Sequence, residues 1–355
     1  MTLEERVSTV PQEVMDLNKT TDYLINLTSQ RRNFSFSAPS LVTNLVIILF
    51  FSISFTVGII ANGLYLWVLR FKMKKTVNTL LFLNLILSYL ISSLIMPFQF
   101  ISYLQEFHWS FGIVMCKVVH STFSLGMFAS VFILCAISLD RYVLTFHPVW
   151  SQQHRNTHWA SITIMGIWIF AVFLSIPYLV LRETQKDTNG VVTCKNNYAL
   201  SSNWKSPKTQ ALRKKVNLAL FISRLALGFL LPLFTIIFCY GRIAQKMRQR
   251  GLVKSSKPFK IMLTFICSFF VCWMPYHVYQ GLLINETHTL VIKQILIITA
   301  ITITFNIFFS PTFNLFIGED FKKVFKESIV ALFESVLHEE SSFELSQNLS
   351  TIRSV

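Results

Sequence analysis

The sequence predicts an all-α membrane protein, a seven-transmembrane helix bundle with a short amphipathic cytoplasmic helix. Composition is the first reason: of 355 residues, 53% are hydrophobic and 14% are charged, and the mean hydropathy of +0.53 is too high for an ordinary water-soluble domain. Segment length is the second reason. A bilayer core needs about 20 apolar residues per helix, and seven apolar segments of that length alternate with polar stretches.

The seven apolar segments divide the chain into regions. We predict an extracellular N-terminus over residues 1–41, a bundle over 42–317, an amphipathic helix over 318–334 and a cytoplasmic tail over 335–355. The predicted spans are 42–69, 77–104, 111–145, 159–181, 216–246, 257–284 and 291–317. The amphipathic helix is predicted because Phe321, Phe325 and Ile329 recur on one helical face. The N-terminal residues contain no apolar core, so we expect the first span, rather than a signal peptide, to target the membrane.

Sequons and loop charge predict the orientation. Asn18, Asn26 and Asn33 each begin an Asn-x-Ser/Thr triplet, and such asparagines are glycosylated only on the lumenal side. Loops 70–75 and 242–260 contain Lys and Arg but no Asp or Glu, as is typical of cytoplasmic loops. We therefore expect a multi-pass plasma-membrane protein with an extracellular N-terminus. The net charge of +15 follows from topology and needs no nucleic-acid partner, because no nucleic-acid-binding motif accompanies it.

The loop after the fourth span is basic although we place it outside. Glu183 and Asp187 are outnumbered there by eight basic residues: Arg182, Lys186, Lys195, Lys205, Lys208, Arg213, Lys214 and Lys215. Basic residues often only solvate a long loop, and they can also steer acidic ligands; the sequence leaves both interpretations open. Cys116 and Cys194 lie on the same oxidising side, where they can form a disulfide that pins this basic outer loop over the bundle.

Several residues stand at fixed places in the spans. Asp140-Arg141-Tyr142 and then His147-Pro148 end the third span. The other spans contribute Asn62, Trp168, Pro232, Tyr240 and the run Cys272-Trp273-Met274-Pro275. Together these motifs resemble the rhodopsin-like (class A) G-protein-coupled receptors, and the resemblance covers the whole bundle.

The resemblance implies a mechanism for these residues. Asp140, Arg141, Tyr142 and Tyr240 are expected to couple to a heterotrimeric G protein: Asp140 and Arg141 pair when the receptor is off, and the arginine is released when the helices part. Pro275 removes a backbone hydrogen bond and so supplies a hinge in the sixth span. Trp273 is the expected lever beside the ligand cavity.

Within that class, the run from Asn62 to Met73 and the Thr76-Val-Asn-Thr motif resemble the chemoattractant receptors for formyl peptides, anaphylatoxins and chemerin, and are similar to an orphan branch of that group. The resemblance implies a peptide or protein ligand, an inhibitory G protein and arrestin as partners. Phe123 and Thr304 stand where amine receptors carry aspartate and opsins carry lysine, which disfavours both of those functions.

Arg224 is the main candidate for contacting the ligand. It lies roughly 13 Å below the predicted outer end of the fifth span, by 1.5 Å per residue, and the spans contain no acid except Asp140 at the opposite face. Its counter-charge is then water, an outer acid (Glu106, Glu183, Asp187 or Glu286) or a ligand. The resemblance favours an acidic or carboxylate end of a peptide; the alternative is a structural role, bonded to helix carbonyls and water. His120 and Ser124 are further cavity candidates, although such groups often only pack or cap.

Three polar positions depart from the family pattern. Tyr89 replaces the aspartate that holds a sodium ion in relatives, and Ser310 and Asn314 alter the motif of the seventh span. A hard cation needs several oxygen ligands, usually with an ionised one, so we expect no sodium dependence and assign no metal site. Altered switch residues also permit a decoy or scavenging receptor with weak G-protein coupling, which would recruit arrestin through phosphorylated Ser341, Ser342, Ser346 and Ser350.

Other function classes fit less well. A membrane transporter is a remote alternative because the span number is odd and internal repeats are absent. The eight histidines are scattered without ligand spacing, and no catalytic constellation appears, so neither enzyme activity nor a cofactor is expected.

Overall fold

A computed structural model describes residues 38–187, 190–200, 203, 206–249, 257–285, 289–317 and 327. The chain divides into two units, residues 1–52 and 53–355, and the described part of the first unit is the beginning of the first helix. The sequons at Asn18, Asn26 and Asn33 lie outside the described residues. So do the predicted amphipathic helix, apart from Glu327, and the cytoplasmic tail.

Seven long helices correspond to the seven predicted spans. Membrane helix 1 covers Ala38–Trp67 and ends in a π-helical segment, Val68–Lys72; helices 2, 3 and 4 cover Val77–Leu104, Gly112–Phe146 and Thr157–Leu181. Helix 5 comprises Pro207–Leu225, a π-helical segment Ala226–Leu230, and Leu231–Gln249; helices 6 and 7 are Lys257–Asn285 and Thr289–Ile317. Among the described residues, helices 1 to 5 meet both the length and the apolarity needed to cross a membrane, and helix 7 contains the apolar stretch Gln294–Ile307.

Local sequence explains where helices 2 and 4 begin. Thr76 forms a capping box with Thr79, in which each backbone N–H donates to the other residue's hydroxyl at 2.8 and 3.2 Å. Asn156 caps helix 4 by accepting from the backbone N–H of Trp159 at 3.0 Å. These caps satisfy N–H groups that have no partner within the helix. The observed bounds of helix 2 match the predicted span.

Helix 5 begins nine residues before the predicted span, at Pro207 rather than at residue 216. Proline suits the first helical position because its missing N–H would be unbonded there in any case. Lys208, Lys214 and Lys215 therefore extend a helix, whereas the sequence placed them in a loop. A short helix, Pro148–His154, also follows helix 3 on the cytoplasmic side and was not predicted.

The helical fold includes one short β-hairpin on the outer side. Strands β1 (Arg182–Lys186) and β2 (Val192–Asn196) form an antiparallel hairpin in the basic outer loop, with Thr184 opposite Cys194. Cys194 is disulfide-bonded to Cys116 at the top of helix 3, which confirms the predicted pairing. The backbone N–H of Trp109 donates to the carbonyl of Val192 at 2.7 Å. The hairpin is thus tied to helix 3 and to the loop before it.

Helix 3 packs against helices 2, 4 and 5 and contributes much of the buried core. The approach to helix 2 is close: a Cβ added to Gly126 would lie 2.2 Å from the hydroxyl of Ser92. Helices 2 and 4 are joined by a hydrogen bond from the Trp168 indole to Asn84 at 3.1 Å. Large apolar side chains on the outward faces, including Phe173 and Phe234, are about two-thirds exposed, as expected of surfaces that contact lipid.

Candidate ligand and G-protein sites

The guanidinium of Arg224 is buried between two aromatic rings. Its side chain is 4% exposed, its central carbon lies 4.7 Å from the ring centre of Tyr178 on helix 4, and Nη1 donates to the Tyr276 hydroxyl of helix 6 at 3.1 Å. Cation–π contacts are strong when desolvated. Nε of Arg224 has no hydrogen-bond partner. The structure therefore provides an aromatic cage for this charge, in place of the helix carbonyls considered as its structural alternative.

A π-helical segment of helix 5 begins two residues after Arg224. Pro232 lacks the N–H that would bond four residues back, and the π-helical segment Ala226–Leu230 lies between it and Arg224. Gly228 within that segment allows a close approach to helix 3, because an added Cβ would lie 3.1 Å from the ring of Phe128. Helix 5 thus packs closely on helix 3 just inside the arginine.

A second guanidinium, that of Arg182, interacts electrostatically with the same tyrosine. Arg182 begins strand β1; its Nη1 donates to the carbonyl of Cys194 at 3.1 Å, and its buried Nε has no hydrogen-bond partner. Burial lowers the pKa of Arg182, and the residue interacts electrostatically with Tyr276 and Tyr279. In the part of the chain that the structure describes, neither Arg182 nor Arg224 contacts a carboxylate. In the sequence Arg182 is one of eight basic residues of the outer loop, and no pattern there indicates the hairpin that begins with it.

The outer acids proposed as counter-charges are engaged elsewhere or exposed. Glu183 accepts from the Asn197 amide at 2.6 Å, and Asn197 accepts from Arg213 of helix 5 at 2.9 Å. Glu106 and Asp187 are exposed, and Glu286 is outside the described residues. Glu183 and Arg213 thus connect the hairpin to helix 5 and do not compensate Arg224.

Trp273 lies directly inward from this pair of arginines. It is 4% exposed, and its ring packs against Tyr276 at 5.7 Å and Phe123 of helix 3 at 5.6 Å. His277, next to Tyr276, is also buried, and neither of its ring nitrogens has a hydrogen-bond partner. A continuous path of contacts therefore runs from Arg224 through Tyr276 to Trp273.

His120 and Ser124 occupy different surroundings from those of Arg224. His120 Nδ1 lies 2.9 Å from the carbonyl of Cys116 and 3.5 Å from the sulfur of Cys194, so this histidine packs beside the disulfide. Although the sulfurs of Cys116 and Cys194 and a ring nitrogen of His120 lie within 4.8 Å of one another, the disulfide occupies both sulfurs and leaves no thiolate for a metal. Ser124 is buried and its hydroxyl has no hydrogen-bond partner.

At the inner end of helix 3 the predicted ion pair is wrong. Asp140 is bound by Arg155, which follows the short helix Pro148–His154, through contacts of 2.6 and 3.1 Å. Arg141 instead donates to the side chain of Asn78 on helix 2. The turn made by the short helix brings Arg155 back to Asp140, so the aspartate joins helix 3 to the start of helix 4.

Tyr142 and Tyr240 lie near the same end of the bundle. Tyr142 stacks on Phe146, whose ring also lies 4.5 Å from Nζ of Lys246 on helix 5. The same Nζ donates to the carbonyl of Thr145 at 2.6 Å. Tyr240 is buried and interacts electrostatically with Arg141. Tyr142 and Tyr240 therefore lie where helices 3 and 5 meet, whereas Asp140 is held by Arg155 and Arg141 by Asn78 of helix 2.

The position of the family's sodium site contains a buried tyrosine. Tyr89 is 2% exposed, and the hydroxyl of Ser130 donates to the carbonyl of Met127 at 2.9 Å. Asn306 of helix 7 is buried, with its side-chain oxygen unbonded. The side chains of Ser310 and Asn314 are outside the described residues.

Comparison with known proteins decides the family. The model of the family described as "7 transmembrane receptor (rhodopsin family)" matches residues 61–313. The chain belongs to this family. It is therefore a G-protein-coupled receptor, with the membrane as its solvent, a G protein as its partner and a multi-pass location in the plasma membrane. The family is one of receptors and not of enzymes.

Individual relatives refine the placement. The receptor is similar to "Probable G-protein coupled receptor 33" of Pan troglodytes, at 59% identity over 94% of this chain and all of the relative, and to that of Mus musculus at 51% over 95% and 99%. It is 36% identical to "Chemerin-like receptor 1" of Rattus norvegicus over 84% of this chain and 82% of the relative. These relatives confirm the resemblance to the chemoattractant group.

Proposed function

We propose that the receptor binds a peptide or protein ligand through an acidic group or C-terminal carboxylate held by Arg224 and Arg182. One observation carries the proposal: Arg224 donates to Tyr276, Arg182 interacts electrostatically with the same residue, and in the described residues neither arginine has an acidic partner. An arginine deep in a membrane is costly without an anion. A carboxylate would gain charge-assisted hydrogen bonds to both guanidiniums, which are the strongest kind available here.

The same geometry supports a route for the signal. A carboxylate on Arg224 competes with the Tyr276 hydroxyl for the guanidinium. Tyr276 packs on Trp273 and Phe123, and Pro275 is its neighbour in helix 6. A shift of Tyr276 therefore acts on helix 6 at its proline, where a missing hydrogen bond makes the helix easiest to bend.

On the inner side, the proposal assigns coupling to an inhibitory G protein, and arrestin binding, to the surface around Asp140, Arg141, Tyr142 and Tyr240. The similarity to chemerin-like receptors supports a chemoattractant role. With an extracellular N-terminus, the glycosylation sites are Asn18, Asn26 and Asn33.

A peptide panel tests the ligand assignment. Peptides of identical sequence, one set ending in a free carboxylate and the other in an amide, are applied to cells carrying the receptor and a G-protein activation sensor. We expect responses to carboxylate peptides only, and a loss of potency of about tenfold or more in Arg224→Gln and Arg182→Gln, because a charge-assisted hydrogen bond contributes about 1.5–3 kcal/mol.

The matched control is Lys215→Gln, which removes an exposed basic residue from the same helix as Arg224. Surface labelling verifies that each variant reaches the membrane. If Arg224→Gln and Arg182→Gln respond to carboxylate peptides as the unaltered receptor does, the proposed site is wrong.

The decoy alternative rests on Ser310 and Asn314, which alter the motif of the seventh span, and Tyr89 stands where relatives carry an aspartate. Arrestin recruitment measured in the same cells separates the two functions. Responses in both assays support a signalling receptor, whereas arrestin recruitment without G-protein activation supports a decoy.

A further inference from the structure

A crevice of about 180 Å³ opens between membrane helices 4 and 5. Its rim is apolar and faces outward: Phe173 and Ile176 of helix 4 are 64% and 45% exposed, and Ser223 of helix 5 is exposed beside the half-buried Leu220. The outward surface of a membrane helix contacts acyl chains rather than water. The crevice is therefore reached from the lipid.

A charge lies at the inner end of this apolar crevice. Arg224 contributes to the lining, together with the ring of Tyr178 that packs on its guanidinium. The side chain of Arg224 is 4% exposed and its Nε has no hydrogen-bond partner. The guanidinium lies between Tyr178, which also lines the crevice, and Tyr276 of helix 6.

We propose that the crevice binds a free fatty acid, with the carboxylate on Arg224 and the hydrocarbon chain leaving between helices 4 and 5. The carboxylate of such a ligand matches the guanidinium, and its hydrocarbon chain matches the apolar rim. A protein cavity of about 150 Å³ holds a benzene molecule, so the crevice has room for the carboxylate and the first few methylene groups. The rest of the chain lies along Phe173 and Ile176 among the acyl chains of the bilayer.

Size and charge favour a fatty acid over other membrane anions. A phospholipid brings a larger phosphate and two acyl chains side by side, which a crevice of this volume does not admit. A guanidinium forms two parallel hydrogen bonds with a carboxylate, and the low dielectric of the surroundings strengthens both. The fatty acid binds independently of the peptide site. It contacts Arg224 from the crevice and does not contact Arg182, which does not line the crevice.

Binding is tested with the purified full-length receptor in phosphatidylcholine nanodiscs, using tritiated oleic acid and subtracting the counts of empty discs. We expect saturable binding that unlabelled oleic acid displaces and methyl oleate does not. Arg224→Gln removes the charge and Leu220→Trp fills the crevice; each should weaken binding by about tenfold or more. Leu231→Trp, a lipid-exposed change further along helix 5, is the matched control and should bind like the unaltered receptor.

Several outcomes overturn the proposal: equal displacement by methyl oleate, displacement by a lysophosphatidate alone, or undiminished binding in Leu220→Trp. If Leu220→Trp does not fold, Ser223→Trp at the exposed rim decides in its place. Arg182→Gln separates this proposal from the peptide site, since it should lower peptide potency and leave oleic acid binding unchanged. Loss of oleic acid binding in that variant also contradicts the crevice assignment.

Discussion

Replacing Arg155 by glutamine tests which residue is the partner of Asp140. The Asp140 carboxylate accepts two hydrogen bonds from Arg155, at 2.6 and 3.1 Å. The side chain of Arg155 is 24% exposed and that of Asp140 is 11% exposed. Shielded charge-assisted hydrogen bonds contribute about 1.5–3 kcal/mol and exposed ion pairs about 0.2–1 kcal/mol. With partial exposure on both sides, we expect the pair to stabilise the folded receptor by about 1–2 kcal/mol.

The assay is thermal unfolding of the detergent-purified receptor followed with a thiol-reactive dye. Cys239 and Cys272 are buried in the folded state, whereas Cys267 is exposed, so all variants carry Cys267→Ser and the reaction of the buried thiols reports unfolding. Arg155→Gln and Asp140→Asn should each lower the melting temperature, and the double variant should melt no lower than the more damaged single variant. Contacting residues behave non-additively in this way, whereas independent ones add.

The two single variants and the double variant form a double-mutant cycle, and a second such cycle tests Arg141 as the partner of Asp140. If Asp140 paired with Arg141, as the sequence indicated, the combination of Asp140→Asn with Arg141→Gln would be the non-additive one. We expect that combination to be the more nearly additive of the two, since Arg141 bonds to Asn78 and interacts with Asp140 electrostatically without an ion-pair contact. Arg248→Gln, at an exposed basic residue of helix 5, controls for charge removal and should not change the melting temperature. Additivity in the Arg155 cycle would refute the geometry described above.

Two further predictions concern the interior of the bundle. Gly126→Ala should destabilise the receptor by about 1–3 kcal/mol through overpacking, because the new methyl meets the hydroxyl of Ser92. The melting temperature should recover partly when Ser92→Ala is added. Gly166→Ala, with open space around it, should not lower the melting temperature, because alanine favours a helix over glycine. Replacing sodium by N-methylglucamine should leave basal G-protein activation unchanged, because Tyr89 supplies no carboxylate, whereas Tyr89→Asp should introduce sodium inhibition. Sodium inhibition of the unaltered receptor would contradict that assignment.

Hydropathy predicted the helices well wherever membrane and helix end together. Helix 2 is the best case, because the Thr76 cap coincides with the start of the apolar segment. Helix 5 shows the largest difference between predicted and observed bounds, because it begins nine residues before the predicted span. Its first turns carry Lys208, Lys214 and Lys215, and apolarity marks the membrane rather than the helix, so the pattern began at residue 216.

The parts of the site that were missed depend on contacts that chain order does not reveal. Strands Arg182–Lys186 and Val192–Asn196 are short and polar, without the alternation that indicates a half-buried strand, so the inward position of Arg182 was not foreseen. Arg155, the partner of Asp140, lies fifteen residues further along the chain. A helix of seven residues separates them, and the composition of that segment did not predict it. The burial of Arg224 was predicted, because this residue lies well inside the apolar segment of the fifth span.

The aromatic cage of Arg224 has a consequence for biosynthesis. The chain is made from the N-terminus, so Tyr178 of helix 4 is already in the membrane when helix 5 is inserted, whereas Tyr276 of helix 6 has yet to be synthesised. An arginine at the centre of a membrane helix costs about 2.5–3.5 kcal/mol on insertion, and at that moment one ring of the two is available to offset it. Helix 5 therefore depends on an earlier helix to accept its charge, and a receptor lacking the Tyr178 ring should be retained more often before it reaches the cell surface.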